Sequence, residues 1–370
     1  MILPQGKGYM IWKVKSCEGG DANAIASVAV STGLTFVAIK VADGIFPFNV
    51  VGDPAVDLAA AVVNSLHARG IQAWGWHYIY GNDPIGEANI AASRAQQLGL
   101  DGYILDAEGE FKQPGMDVAA TTFLRQFRSQ LPEFTLALCS YRYPSLHGSF
   151  PWSVFLNGVD LNMPMVYWEF AHNPDVQLTR CVQEFRGMQP ARPIIPVGPS
   201  FWATDWAPTP ADAVTFLDTA RAFALPGASF FSWDEAHKPL PDFWNAVAQY
   251  PWSINGPAYE DISQKLINSW NTHNPSQPIQ LYADNAVHVS SSRTVQGKVA
   301  IQGWYEALLN EMLPNGSFAL SDLSVEGSLR HFSWTATSPR GRVSDGQDTL
   351  GMEGDKILYH YTQFTISPNP

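Results

Sequence analysis

The segment Asp101-Gly-Tyr-Ile-Leu-Asp-Ala-Glu108 has the alternating pattern of a strand that ends in acidic side chains. Side chains two residues apart lie on the same face of a strand, so Ile104, Asp106 and Glu108 share one face. The residues of the other face are apolar: Tyr103, Leu105 and Ala107. This pattern predicts a strand with one face packed on helices and two carboxylates at its carboxyl end.

Eight short apolar runs of this kind alternate with helical segments in the first two-thirds of the chain. The runs are Gly8–Val14, Phe36–Gly44, Ile71–Gly81, Asp101–Phe111, Phe134–Pro144, Leu161–Trp168, Arg192–Trp202 and Gly227–Ala236. The helical segments are Ala22–Thr32, Ala55–Arg69, Gly86–Leu98, Asp117–Gln130, Asp175–Arg186 and Pro210–Phe223. Strands that alternate with helices form a parallel sheet, and eight such units in about 250 residues favour a closed (β/α)8 barrel, or TIM barrel, over an open sheet.

The second run, Phe36–Gly44, indicates which face of a strand points into the barrel. Its branched residues Val37, Ile39 and Val41 alternate with small or polar ones. We expect the branched set to contact the outer helices and Lys40 to point inward.

The pattern changes after Trp252, which indicates a second domain. We predict a barrel over residues 1–252, a linker over 253–259 and a smaller α+β domain with a curved antiparallel sheet over 260–370. The predicted elements of this domain are helices at Tyr259–Thr272 and Val299–Glu311 and strands at Gln280–Val289, Phe318–Glu326, Leu329–Ser338 and Lys356–Ile366.

Composition excludes several classes of partner. The chain has 370 residues, only 15% of them charged, and its formal net charge is -12. Nucleic acids and anionic membranes require clustered Lys and Arg, so we expect neither as a partner. We find no signal peptide and no apolar run of about 20 residues that would span a membrane. The compartment is left open, with secretion expected if a signal was removed. The spacing of Cys17, Cys139 and Cys181 fits no metal site, and no metal or cofactor is expected.

Asp106 and Glu108 are the candidate catalytic pair. Two carboxylates about 7 Å apart along a strand raise the pKa of one of them. Such a pair suits a general acid beside an ionised partner. The alternative is a structural salt-bridge network with Lys40 and Lys13.

Aromatic and acidic residues gather at the ends of other predicted strands. Trp and Tyr rings with a few acids suit sugars, which have apolar faces and polar edges. The alternative is that large aromatics fill the barrel, which we favour for any single ring but not for the set. A further strand ends in Ser200-Phe201-Trp202. His77 has no other histidine near it in the sequence, and we expect it to be structural. The residues assigned to substrate binding are Trp76, Tyr78, Trp168, Glu169, Trp233, Asp234 and Glu235, together with Lys40.

Three segments resemble strand signatures of the family-25 glycoside hydrolases, which are lysozymes that cut peptidoglycan. They are Phe36-Val-Ala-Ile-Lys-Val-Ala-Asp-Gly44, Gly75-Trp-His-Tyr78 and Leu105-Asp-Ala-Glu108. Strand four also resembles the family-18 chitinase pattern Asp-Gly-x-Asp-x-Asp-x-Glu, with Ile104 replacing the middle Asp. Met165-Val-Tyr167 and Gly227…Trp233 are similar to the strand-six and strand-eight motifs of that family.

This resemblance implies a role for each of four residues. Glu108 would be the general acid and Asp106 its electrostatic partner. Tyr167 would position the reacting group, and Trp233 would form the floor of the sugar site.

Two departures from these families leave a non-catalytic barrel open. The first strand reads Ile11-Trp12-Lys13-Val14 where family-25 enzymes carry an Asp, and Trp168 stands where chitinases usually have Asp. The first hypothesis, which follows from the resemblance, is a glycoside hydrolase acting on a polysaccharide or cell-wall glycan. The second is a barrel that binds a glycan without cutting it.

The C-terminal part resembles the SnoaL-like, ketosteroid-isomerase-like cone fold. The segments that carry this resemblance are Leu281-Tyr-Ala-Asp-Asn-Ala-Val-His288, Val295-Gln-Gly297, Ala300-Ile-Gln-Gly-Trp304-Tyr305 and Asp345-Gly-Gln-Asp348-Thr-Leu-Gly351. The resemblance implies a sheet wrapped around a helix with a pocket within reach of His288, Trp304, His331, Trp334, Asp348 and His360. For this domain we expect ligand binding or homodimer formation rather than catalysis. The third hypothesis places activity on a small hydrophobic ligand in this cone, with Asp348 or His360 as a proton shuttle.

Overall fold

The computed structural model describes residues 3–252, 261–326, 329–353 and 356–369, and at Val325 and Glu326 it describes the backbone alone. The chain divides into two compact units, residues 1–256 and 257–370. The predicted linker 253–259 lies outside the described residues. No described helix has the length and apolar character needed to cross a membrane.

Eight parallel strands close into a barrel within residues 3–252. The first strand pairs with the second, Gly8 beside Phe36, and also with the eighth, Gly6 beside Gly227, so the sheet has no open edge between them. The prediction of a (β/α)8 barrel is confirmed. The strands are β1 Gly6–Ile11, β2 Phe36–Asp43, β3 Gln72–Tyr78, β4 Gly102–Asp106, β5 Leu136–Tyr141, β6 Leu161–Met165, β7 Val197–Pro199 and β8 Gly227–Phe231.

Helices surround this barrel, and several begin at side-chain caps. Asp21 and Asp57 each accept a backbone N–H at a helix start, and Thr209 forms a reciprocal capping box with Asp212. The helices are α1 Ala22–Ser31, α2 Leu58–His67, α3 Pro84–Leu98, α4 Met116–Gln130, α5 Trp152–Gly158, α6 Pro174–Arg186, α7 Pro210–Ala222, α8 Trp233–Ala236 and α9 Pro241–Gln249.

Side chains on the two faces of the strands belong to two separate apolar cores, as the alternation of residues along each strand predicts. Val37, Ile39 and Val41 belong to the layer between strands and helices. Ile104 belongs to the barrel interior, with Met10, Phe36, Ala38, Trp74, Trp76, Ala137, Cys139, Leu161, Met163, Ile195 and Val197. The barrel interior is therefore packed with side chains.

Several strands end earlier than the sequence pattern indicates. β4 ends at Asp106, and Glu108 leaves the extended conformation with φ -132° and ψ -127°. β8 ends at Phe231 and the chain turns into α8. β7 has three residues instead of Arg192–Trp202, because Pro193, Pro196 and Pro199 have no N–H to donate to a neighbouring strand.

The C-terminal unit is an α+β domain built on one sheet. In its described part six strands follow the order β10-β9-β14-β13-β12-β11, and three helices carry apolar residues into the same core. The strands are β9 Tyr282–Val289, β10 Thr294–Gln296, β11 Ser317–Glu326, β12 Leu329–Ser338, β13 Gly341–Glu353 and β14 Lys356–Gln363. The helices are α10 Ile262–Trp270, α11 Ser276–Ile279 and α12 Lys298–Glu306.

This sheet differs from the predicted one in two respects. β9 and β14 run parallel, with His288 beside His360, whereas a fully antiparallel sheet was expected. The long strand β13 was not predicted, because glycines interrupt its alternation; Gly346 lies where a Cβ would come within 2.4 Å of the Trp334 ring.

Candidate functional site

A cavity of about 620 Å³ opens at the mouth of the barrel, where the strands reach their carboxyl ends. Asp106, Tyr141, Met165 and Phe231 line it and are the last residues of β4, β5, β6 and β8. This is the end of a (β/α)8 barrel at which active sites are found. Its other lining residues are Met10, Trp12, Glu108, Cys139, Arg142, Tyr143, Leu146, His147, Tyr167, Glu169, Phe201, Trp202 and Glu235.

Asp106 forms part of the inner wall of the cavity. Its side chain is buried, and its Oδ1 has no hydrogen-bond partner among the described residues. Burial, followed by the nearby Glu108 carboxylate, raises the pKa of Asp106 well above its ordinary value. Asp106 therefore keeps its proton to a higher pH than an exposed aspartate does.

Glu108 lies two residues beyond the end of β4 and is half-buried in the same cavity. Burial raises the pKa of Glu108, the Glu110 carboxylate raises it further, and the Lys112 ammonium lowers it. The sequence-based pairing of Asp106 with Glu108 is thus present at one cavity wall, and each carboxyl is in an environment that favours its neutral form.

Lys40 does not bridge the two carboxyls. Its Nζ bonds to Asp43 Oδ2 at 2.6 Å and lies 4.9 Å from the centre of the Trp76 ring. The Lys40 charge acts on Asp106 only from a distance, lowering its pKa less than burial raises it. Lys13 lies over the Trp12 ring at 4.3 Å. The geometry does not support the predicted salt-bridge network.

Tyr167 is half-buried in the cavity wall, where its ring packs edge-on against Phe201 at 5.4 Å. Burial raises the pKa of the Tyr167 phenol well above its ordinary value, so the hydroxyl stays protonated. This hydroxyl makes no hydrogen bond within the described ranges of the chain. It is therefore available as a donor to a ligand.

Three further acids were assigned to the site, and two of them reach it. Glu169 and Glu235 are exposed and line the cavity. Asp234 accepts a hydrogen bond from the Trp12 backbone N at 2.9 Å and does not line the cavity. Asp234 therefore fixes the end of the first strand.

Four aromatic residues assigned to sugar binding lie elsewhere. Trp168 is fully buried against Phe216, because its position places it on the helix-facing side of the chain after β6. Trp233 is fully buried in α8, where its Nε1 donates to Glu18, so it does not form the floor of the cavity. Trp76 is buried in the barrel interior and donates to the Ile11 carbonyl at 2.8 Å. Tyr78 donates to Glu110 Oε2 at 2.9 Å, outside the cavity lining.

Several cavity residues were not assigned from the sequence. Trp202 is 60% exposed and lines the cavity, so it offers the open ring face that the buried tryptophans lack. Trp12 could have been found from its alternation with Met10 on β1. Arg142 and His147 lie on the loop after β5, where no periodic pattern predicts the direction of a side chain.

His77 is structural, as expected. It is fully buried, and its Nε2 lies 2.7 Å from the Gly44 carbonyl oxygen. Burial lowers the pKa of His77 to about 4, so the ring is neutral at pH 7.

The C-terminal unit contains a buried chain of polar side chains. His360 Nε2 lies 2.6 Å from Asp348 Oδ2, and His360 Nδ1 lies 2.5 Å from the Tyr282 hydroxyl, which is bonded to that of Tyr305. Trp334 donates to Asp348 Oδ1 at 2.8 Å. Asp348 and His360 are thus held by each other, and a proton shuttle through either residue stays a prediction.

His288 and His331, which were also predicted to reach the cone pocket, have different surroundings. His288 is fully buried beside the Trp304 ring at 4.1 Å, and burial lowers the pKa of His288 to about 2. His331 is half-buried, bonds to Thr349 at 2.9 Å and lines a cavity of about 390 Å³ that Asp348 also reaches. In the described parts of the chain, no three His, Cys, Asp or Glu side chains are arranged to hold a metal ion.

Comparison with known proteins identifies the C-terminal unit. Residues 264–360 match the family model of the SnoaL-like domain, which confirms the fold predicted for this part of the chain. A search of the curated proteins finds no match to the sequence. Nothing in these comparisons supports a glycoside hydrolase family for the barrel.

Several solved structures are similar to less than a third of the chain, over 28–30% of its length. They include a SnoaL-like family protein from Agrobacterium tumefaciens str. C58, with 21% identity over 28% of this chain and 94% of that one and a TM-score of 0.25. An NTF2-like protein of unknown function from Burkholderia xenovorans LB400 has 11% identity, covers 30% of this chain and 84% of its own, and has a TM-score of 0.26. Another, from Cytophaga hutchinsonii ATCC 33406, has 12% identity, coverages of 28% and 87%, and a TM-score of 0.25. We draw no function from these similarities.

Proposed function

We propose that the barrel is a glycoside hydrolase whose general acid is Glu108. The observation that carries this proposal is the cavity itself. It brings together two carboxyls with raised pKa values, two further acids at the rim and the exposed ring of Trp202. An aromatic face with adjacent acids suits a sugar ring and the proton transfer that breaks its glycosidic bond.

The Asp106–Glu108 pair would supply the proton. Because the charge of either carboxylate disfavours ionisation of the other, the pair loses its two protons in separate steps. Over the pH range between these steps the pair holds one proton. Glu108, the more accessible member, would donate it to the glycosidic oxygen as the bond from that oxygen to C1 breaks.

The remaining steps need a nucleophile and a base. Water would add to C1 and return a proton to the Glu108 carboxylate, which restores the pair. Glu169 and Glu235 are the rim acids available to assist this attack. Tyr167 would donate its hydroxyl to the sugar carrying C1, as its unpartnered position in the wall supports.

The first prediction concerns Glu108→Gln, which keeps the size of the side chain and removes its transferable proton. Hydrolysis of a polysaccharide or cell-wall glycan panel should fall roughly 100- to 10,000-fold, with glycan affinity retained. Release of reducing ends measures the first quantity, and calorimetric titration with the same glycan measures the second.

Glu133→Gln is the matched control, because Glu133 is an exposed carboxylate away from the cavity. Unchanged turnover in the Glu108 variant would exclude the proposal. Binding of glycan by the unaltered protein with no reducing ends released would replace it with the non-catalytic barrel.

A further inference from the structure

The charges around the mouth cavity are arranged unequally. Its carboxyl groups belong to Asp106, Glu108, Glu169 and Glu235. The permanently cationic lining residue is Arg142, which follows the last residue of β5. A ligand in this cavity therefore meets acidic groups along most of the wall and a guanidinium at the edge formed by the loop after β5.

Arg142 has no acidic partner among the residues that the structure describes. Its guanidinium carbon lies 5.1 Å from the centre of the Tyr143 ring, and no carboxylate in the described ranges forms an ion pair with it. By contrast, Arg128 bonds to Asp160 at 2.8 Å and Arg180 to Glu184 at 2.8 Å. A half-buried guanidinium without a partner retains the planar set of donors that binds a carboxylate through two hydrogen bonds.

His147 lies at the same edge of the cavity and adds a neutral polar group. Its ring stacks on Tyr141 at 3.8 Å, and burial, with Lys112 and Arg142 nearby, lowers the pKa of His147. The imidazole is therefore uncharged at pH 7 and has a ring nitrogen for hydrogen bonding. It adds no second positive charge beside Arg142.

The loop that carries these two residues is anchored at several points. Trp152 Nε1 donates to the His147 carbonyl at 3.0 Å. The backbone N and the hydroxyl of Ser145 both donate to Glu184, at 3.0 and 2.9 Å. Arg142 and His147 are thus presented by a loop that is fixed before any ligand arrives, which lowers the entropic cost of binding.

We propose that Arg142 and His147 form a subsite for a sugar that carries a carboxylate, next to the Asp106–Glu108 pair. The inference deepens the proposed function and rests on it for the neighbouring hydrolysis. The carboxylate would accept two hydrogen bonds from Arg142, with His147 bonding to a neighbouring hydroxyl. Glu169, Glu235 and the charge left on the Asp106–Glu108 pair repel an anion held elsewhere in the cavity, so the subsite selects a glycan with its charge at this edge.

The test compares two probes that differ only in charge. One is a tetrasaccharide of alternating N-acetylhexosamine and hexuronate, and the other is its carboxyl-reduced, uncharged form. The unaltered full chain should bind the acidic probe about tenfold more tightly at low salt, as expected for one charge-assisted contact. Arg142→Gln should abolish this preference and keep the affinity for the uncharged probe. Arg142→Lys, which keeps the charge without the planar fork, should retain part of the preference.

Two controls separate this inference from the proposed function. Arg125→Gln removes an exposed charge of α4 outside the cavity and should leave the preference unchanged. Glu108→Gln should keep the preference whether or not it abolishes hydrolysis. Equal affinity for the two probes, or binding of neither, overturns the subsite. Equal preference for a sulfated, carboxyl-reduced tetrasaccharide would also overturn it, because the site would then recognise any anion.

Discussion

The buried acids of the barrel differ in how their oxygens are satisfied. Glu87 accepts backbone hydrogen bonds from Tyr80 and Gly81, and Asp212 accepts from Thr209 and His172. Asp106 leaves one buried oxygen without such a bond in the described structure. An unsatisfied buried group costs about 1–3 kcal/mol, so we expect a ligand hydroxyl or water in the cavity to satisfy it.

Two charged residues beside Glu108, Glu110 and Lys112, change its pKa in opposite directions, so substitution of either one tests its role as the general acid. A general acid works only while protonated, so its activity falls as the pH rises through its pKa. The Glu110 carboxylate raises that pKa and Lys112 lowers it. Glu110→Gln should therefore move the alkaline limb of the kcat/KM profile to lower pH, and Lys112→Gln should move it to higher pH.

The two variants control for each other, because opposite shifts cannot arise from a general loss of stability. The measurement is the pH dependence of kcat/KM on one soluble glycan. Shifts in the same direction would show that Glu108 is not the group that titrates on this limb.

At the scale of elements, the first strand and the last helix of the barrel are joined by one side chain. Lys7 on β1 is buried, and its Nζ bonds to the carbonyl oxygens of Val247, Ala248 and Tyr250 at the end of α9. Carbonyls at the end of a helix have no partner within the helix, so a cation there stabilises them.

Lys7→Met should therefore destabilise the barrel by about 2–4 kcal/mol, because Met keeps the apolar stem and leaves three carbonyls without the ammonium. Urea unfolding followed by tryptophan fluorescence measures this difference. Lys15→Met is the matched control, since Lys15 is exposed on a short turn. An equal effect of the two substitutions would contradict the structural role of Lys7.

Sequence alternation predicted the faces of the strands well and the segments beyond them poorly. Tyr167 and Trp168 are neighbours, yet only Tyr167 continues the inward series of Met163 and Met165 into the cavity. Alternation alone would have excluded Trp168. Trp233 also follows the inward parity of Phe231, but the chain becomes helical at that point and rotates the side chain away.

Residues on irregular loops could not be placed in the same way. Arg142, His147 and Trp202 follow the ends of strands, and their directions depend on packing of segments distant in sequence, such as α6 against the loop after β5. The closed barrel was predictable because it repeats one local pattern eight times. Its mouth was not, because each loop there is different.

At the scale of the whole molecule, the chain has separate apolar cores in its two compact units. The barrel core and its interior lie within residues 3–252, and the C-terminal core is formed by residues from Ile262 onward. A core that is confined to one unit gives that unit its own cooperative unfolding.

We therefore predict two thermal transitions, and substitutions that move one at a time. Asp348→Asn removes the carboxyl group that contacts His360 Nε2, Trp334 Nε1 and the Thr362 hydroxyl inside the C-terminal core, and it should lower the transition of that unit by about 1–3 kcal/mol in stability. Lys7→Met should lower only the other transition. Differential scanning calorimetry of the full chain checks both, and a single transition shifted by either variant would contradict independent unfolding.

The pairing of β1 with β8 also has a consequence for synthesis of the chain on the ribosome. Gly6 cannot pair with Gly227 until Gly227 has been translated, and Lys7 cannot contact the end of α9 until Tyr250 has been translated. Barrel closure is therefore a late event, and until then β1 and β7 each have an edge that lacks its β8 partner. Release of the finished barrel from the exit tunnel requires further chain beyond it, and in this protein the residues of the SnoaL-like domain provide that length.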